Sequence, residues 1–180
     1  YDVYDDGRQD FEKVLGIDPW GPGCCYDCYL FEKLELIETP QPIVLGINSG
    51  QGSNPLKVKE LYKEKKHNLN TVVYNVTNQE NYLEDLRGVS DYVRYEENLS
   101  NIFKKTDENF PKKFHYIIID TPVVFLNYKQ LIENCLKYLT VGGYLCALFT
   151  DNQEAQIRKA FPKADYVKKI QNWLILKSCQ

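Results

Sequence analysis

This sequence predicts a doubly wound α/β domain: a mostly parallel sheet of about seven strands, a C-terminal antiparallel hairpin and a short N-terminal helical extension. Three observations carry that reading. From Pro42 onward, apolar runs of strand length alternate with helical periodicities, the pattern of βαβ units. One run, FHYIIID at 114–120, is almost unbroken, as in a strand covered by helices on both faces. The chain then closes on two strand-like runs, YVKKI and WLIL, joined at Gln171-Asn172, a plausible hairpin turn.

Residues 1–41 read as an extension packed on a domain spanning 42–180. DVYDDGRQD is acidic and loop-like, and Phe11, Val14 and Leu15 suggest a short helix capped by Asp10. DPWGPGCC is dense in Pro and Gly, hence turn or loop. Tyr29 to Glu38 places Leu30, Leu34 and Ile37 on one face and reads as a short amphipathic helix. With Trp20 and several tyrosines, the extension is a possible protein-partner surface.

In the domain, Ile43 to Ile47 is the first predicted strand, and Asn48 to Ser53 a Gly-containing loop. A helix follows from Pro55, with Leu56, Leu61 and Val58 facing inward. Thr71 to Val76 is the second strand, Gln79 to Leu86 a helix closed by Gly88, and Asp91 to Tyr95 the third strand. Leu99 to Phe103 continues as a helix fraying into KKTDENFPKK. After the fourth strand, Leu131, Cys135, Leu136 and Leu139 recur at helical spacing. Gly142-Gly143 is expected to end that helix and start the fifth strand. Gln153 to Ala160 is a further helix before the hairpin.

A chain of 180 residues with 43% hydrophobic and 13% aromatic residues can bury a full core. The net charge of -3, with both signs interspersed, gives no basic field for nucleic acid at whole-chain level. No apolar run approaches the ~18 residues of a membrane span. Cys135 and Cys146 fall on a helix face and inside a strand, where a free thiol behaves as a small hydrophobe. That distribution suggests a reducing compartment, hence a cytoplasmic or otherwise intracellular site. Cys25-x-x-Cys28 has no second Cys or His pair at zinc-finger distance, so no metal site is assigned. The start at Tyr1 and the lack of Met would both be explained by a processed fragment or by modified methionines left out of the sequence.

In a sheet of this kind, ligands bind outside the carboxyl ends of the strands. Those ends are Asn48-Ser49-Gly50, Asn75-Val76-Thr77, Glu96-Glu97-Asn98, Asp120-Thr121-Pro122 and Thr150-Asp151-Asn152. Any one of them could be an ordinary turn cap. Phe125, Asn127 and Tyr128 follow in a loop that could line an acceptor pocket. His67 and His115 are both expected at the opposite end, which removes His-based nucleophilic and metal chemistry from the mouth. No phosphate loop of the Gly-x-x-x-x-Gly-Lys-Ser/Thr type occurs, and GQGSNP lacks the third glycine of a nicotinamide loop.

The order of elements, together with IVLGINSGQGS and DTPV, resembles the class I S-adenosylmethionine-dependent methyltransferases over roughly residues 42 to 178. The resemblance implies that Gly50 and Gly52 are the later glycines of the cofactor loop. Gly46 stands where an acid is usual, and Asn48 where the first glycine is usual. Asn75, or Thr77 in a slipped register, takes the place of the acid that holds the ribose hydroxyls. Glu97 or Asn98 resembles the adenine-contacting segment, and Asp120 the motif facing the methyl group and acceptor. The resemblance therefore implies S-adenosylmethionine as cofactor, bound by Asn48, Gly50, Gly52, Asn75, Glu97, Asn98 and Asp120. Asp120 and Tyr128 would serve catalysis on an oxygen or nitrogen acceptor of unknown identity. DTPV lacks the adjacent Pro and aromatic of adenine-methylating enzymes. Because acids are missing at Gly46 and Asn75, a catalytically silent binding or scaffolding subunit is the alternative. A nucleotide-binding Rossmann-type domain of another kind ranks below both.

Overall fold

The computed structural model describes residues 35–104, 108–120, 128–148, 151–162, 165–170 and 173–178. The expected helix near Phe11, the CCYDC loop, Trp20, Thr121, Pro122, Phe125, Asn127, Thr150 and the Gln171-Asn172 turn lie outside them. Strands β1 (Ile43–Ile47), β2 (Val72–Thr77), β3 (Tyr92–Tyr95), β4 (Phe114–Ile119), β5 (Leu139–Leu148), β6 (Asp165–Ile170) and β7 (Trp173–Lys177) form one sheet. Their order is β3-β2-β1-β4-β5-β7-β6. The first five are parallel, and β7 runs antiparallel to both neighbours. The hairpin thus inserts β7 beside β5 and leaves β6 as the edge. Helices α1 (Ser53–Lys66), α2 (Leu83–Arg87), α3 (Tyr128–Lys137) and α4 (Asp151–Ala160) connect the strands.

Strand alternation sorts the core into two layers. Leu45, Ile47, Ile117, Ile119, Leu145 and Leu174 pack with Leu131, Ile132 and Cys135 of α3 and Ile157 of α4. Val44, Tyr116, Ile118, Cys146 and Trp173 pack on the other face with Val58, Leu61 and Tyr62 of α1. Each fully buried aliphatic side chain contributes about 1.5–3 kcal/mol over exposure. This two-sided burial makes FHYIII read as an almost unbroken apolar run. Cys135 and Cys146 are both buried, and burial pushes both thiols up, so they behave as apolar filler.

Several elements differ from expectation for identifiable reasons. The helix expected over 79–86 splits into a 3-10 turn, Glu80–Tyr82, that leads into α2. The helix expected from Leu99 is a 3-10 turn, Leu99–Asn101, capped by the Asn98 side chain. Leu139 fits the helical spacing, yet α3 stops at Lys137 and Leu139 already pairs with Phe114 in the sheet. Gly142-Gly143 lies inside β5, where the register with β4 shifts. Gly142 takes φ +78°, and a Cβ on Gly143 would sit 3.0 Å from the Thr140 carbonyl oxygen.

Residues 35–39, the described end of the expected Tyr29–Glu38 helix, are not helical. Buried tyrosines take over their backbone groups. Ile37 N–H donates to Tyr116 Oη at 2.9 Å, and Tyr62 Oη donates to Ile37 O at 2.7 Å. Asn68 Nδ2 donates to Thr39 O and Pro40 O, and Lys66 pairs with Glu38. Among the described residues, no helix is long and apolar enough to cross a membrane.

Candidate functional site

β1 delivers the chain into a loop that bends through three left-handed residues: Asn48 at φ +53°, Gly50 at +58° and Gly52 at +87°. Asn tolerates that region better than most side chains, and here its amide also finds partners. Asn48 Nδ2 donates to Asn78 Oδ1 at 3.0 Å, and Asn78 N–H donates back to Asn48 Oδ1 at 3.0 Å. With Asn48 N–H on Val76 O, this ties the β1–α1 loop to the segment after β2. A Cβ on Gly50 would meet no atom within 4 Å, so the loop is open there. Gly52, by contrast, is pressed against Val89 Cγ2 and Leu86 Cδ2, where a Cβ would lie 2.8 and 3.0 Å away.

Asn75 pairs with Gly46 across β1 and β2 and is 1% exposed, beneath the loop rather than on its open side. Its Nδ2 donates to Ser90 Oγ at 2.7 Å, and its oxygen lies toward Gly46. Asn75 Oδ1 and Ser49 Oγ are buried there without a hydrogen-bond partner among the described residues. Thr77 is fully buried, and its Oγ1 accepts Gln79 N–H at 3.1 Å. At the end of β3, Glu96 is buried beside Arg94 at 3.9 Å, and the Arg94 guanidinium lies over the Phe110 ring. Glu97 is exposed. Asn98 is exposed too, its oxygen occupied by Ser100 N–H and Ser100 Oγ.

Asp120 follows β4, with its N–H on Ile47 O. Its carboxylate oxygen Oδ2 accepts 2.6 Å from Nδ2 of Asn54, in the first turn of α1. Asn54 is a residue the sequence reading missed. No local signal marks it, because its partner lies 66 positions along the chain. Tyr128 opens α3, on the chain that leaves β4. The structure therefore gathers Asn48, Gly50, Gly52, Asn54 and Asp120 where β1, β2 and β4 end. Glu97 and Asn98 sit apart at the end of edge strand β3. His115 lies at the opposite end of the sheet, its Nδ1 accepting Ile43 N–H at 3.0 Å, and His67 caps the far end of α1.

Comparison with solved structures places the architecture. An rRNA methylase from Streptococcus thermophilus superposes with a TM-score of 0.54 at 17% identity, over 87% of this chain and 95% of that one. A TehB-like SAM-dependent methyltransferase from Corynebacterium glutamicum superposes with a TM-score of 0.57 at 10% identity, over 98% and 99%. TrmN from Thermus thermophilus gives 0.52 at 18% identity; 85% of this chain is covered but only 46% of that longer one. The fold is that of the class I S-adenosylmethionine-dependent methyltransferases, a Rossmann-like sheet. In sequence, the chain matches no protein-family model and no curated protein.

Proposed function

We propose that the chain is an S-adenosylmethionine-dependent methyltransferase acting on an oxygen or nitrogen acceptor. The observation that carries this is Gly50, left-handed and open, on a loop whose α1 flank reaches Asp120 through Asn54. A side chain on Gly50 would occupy the space through which a ligand approaches the backbone. Ser49 Oγ and Asn54 Oδ1 supply buried polar atoms still lacking partners among the described residues, which fits a bound polar ligand. The fit is weaker after β2, where Asn75 and Thr77 are buried and engaged with Ser90 and Gln79.

In this assignment Asn48, Gly50, Gly52 and Asp120 hold the cofactor. Asn75 supports it from below, Glu97 and Asn98 border its adenine end, and Asp120 and Tyr128 lie nearest the acceptor. When bound, S-adenosylmethionine supplies an electrophilic methyl group. The chain's contribution is positioning: it holds an O–H or N–H acceptor in line, and the Asp120 carboxylate receives the proton that the acceptor releases.

Calorimetry with S-adenosylmethionine and S-adenosylhomocysteine is the test. Micromolar binding is the expected result, and heats indistinguishable from dilution at millimolar ligand would sink the proposal. Asp120→Ala should abolish transfer with the fold retained; loss of folding would make Asp120 a structural carboxylate.

A further inference from the structure

We propose that the face of β5 and β7 on the α1 side of the sheet is the docking surface of the chain's own residues 1–34. That segment then belongs to the core and is not a free surface for another protein. The inference is independent of the methyl-transfer reading. Tyr144, Cys146 and Leu148 of β5 and Trp173 and Ile175 of β7 share this face. All five are buried, and the last four are 0% exposed. Neighbouring strands shield a side chain only sideways, so burial this complete needs a second layer above the sheet. Among the described residues, the layer on this face comes from α1 and from Leu36 and Ile37. α1 lies against β1 and β2, across β4 from the face in question. α3 and α4 pack on the opposite face.

Two observations name the occupant. The first is the strap formed by residues 35–39. Tyr116 Oη of β4 donates to Glu35 O at 3.3 Å and accepts Ile37 N–H at 2.9 Å. The same ring stacks on Tyr144 of β5, with centroids 5.9 Å apart. The strap therefore brings residue 35 to the edge of the β5–β7 face. The second is chain length. The stretches 105–107, 149–150, 163–164, 171–172 and 179–180 are two or three residues each, and 121–127 connects β4 to α3 on the opposite side. Residues 1–34 have the length and also the apolar side chains, Trp20, Leu30 and Leu34 among them. Strands β4, β5 and β7 are about 4.8 Å apart, so the strip to be covered is about 10 Å wide. That is about the diameter of one helix with its side chains. A partner that bound this segment would first have to lift it off Leu148 and Trp173.

The two buried thiols report on the two faces separately: Cys146 lies on the proposed docking face and Cys135 on the other. The full chain is treated with N-ethylmaleimide under native conditions, and modification at each thiol is followed by peptide mass spectrometry. Leu30→Asp combined with Leu34→Asp should loosen the segment and speed modification of Cys146 by about tenfold or more, as local opening does. Cys135 should stay within about twofold of the parent. Leu34→Ser alone, a milder change, should show the same bias if the double variant does not fold. No acceleration at Cys146, or equal acceleration at both thiols, overturns the proposal.

Discussion

Gly46 sits in the middle of β1, between Asn75 on β2 and Ile118 on β4, where an acidic residue is expected by resemblance. Replacing it tests whether the sheet has any room for that acid. A Cβ at this position would lie 2.5 Å from both Pro55 Cγ and Ser49 Oγ, and closer still to Asn75 Oδ1. None of the three can retreat easily. Pro55 is a ring in the first turn of α1, Asn75 is tethered to Ser90, and Ser49 is buried in the loop. Overpacking of a closed core costs about 1–3 kcal/mol, and three simultaneous clashes put Gly46→Ala at the upper end, about 3 kcal/mol. For a chain of this size, that lowers the melting temperature by about 6–12 °C. Urea unfolding should show a lower midpoint with an unchanged slope. Asn75→Ala in the Gly46→Ala background should recover part of the loss, because it removes the nearest contact. Gly46→Asp should fail to fold rather than gain cofactor affinity. A Gly46→Ala protein within about 0.5 kcal/mol of the parent, the range of a neutral surface change, would refute the reasoning.

Three further outcomes are expected. Gly50→Ala meets no atoms but must hold φ +58°, so it should cost about 1–2 kcal/mol; Gly52→Ala adds clashes with Leu86 and Val89 and should melt lower in a thermal scan. His115 is half-buried and accepts Ile43 N–H, so burial lowers its pKa. The unfolded chain then takes up the proton first, and stability should be complete above about pH 6.5 and decline below it. Urea midpoints across that range should show the decline, and His115→Asn should flatten it. Tyr116→Phe removes the hydroxyl that accepts Ile37 N–H and should cost about 1–2 kcal/mol. Faster amide exchange at Ile37, without change around Gly50, should accompany it.

Much of the fold was legible because its signals are local and repeated. The almost unbroken FHYIII run matches a strand with both faces covered, and the two packed layers follow from strand alternation. Leu45 and Val44, like Ile117 and Ile118, present their side chains to opposite sides of the sheet. Boundaries were less legible where two patterns overlap. Leu139 satisfies a helical period and also a sheet pairing, and only the neighbour Phe114 decides between them. Short segments such as 99–103 carry too few residues for their period to separate an α-helix from a 3-10 turn.

The candidate site divides along the same line. Gly50, Gly52 and Asp120 could be picked out because strand ends and glycine spacing are written in the chain. Asn54 could not, because its significance lies in a bond to a residue far along the sequence.

By itself, then, the sequence determined the alternation of strands and helices, the buried fourth strand and the polar residues at the strand ends, all consequences of local periodicity and turn chemistry. Only the tertiary structure decided how those ends are used. It showed that β7 inserts beside β5, that Asn75 fills the space beside Gly46, that Asn48 clasps Asn78, and that Asn54 turns its amide to Asp120. The physical reason is that hydrogen bonds and close contacts between distant segments depend on where the sheet brings them, and residue spacing along the chain carries no record of that distance.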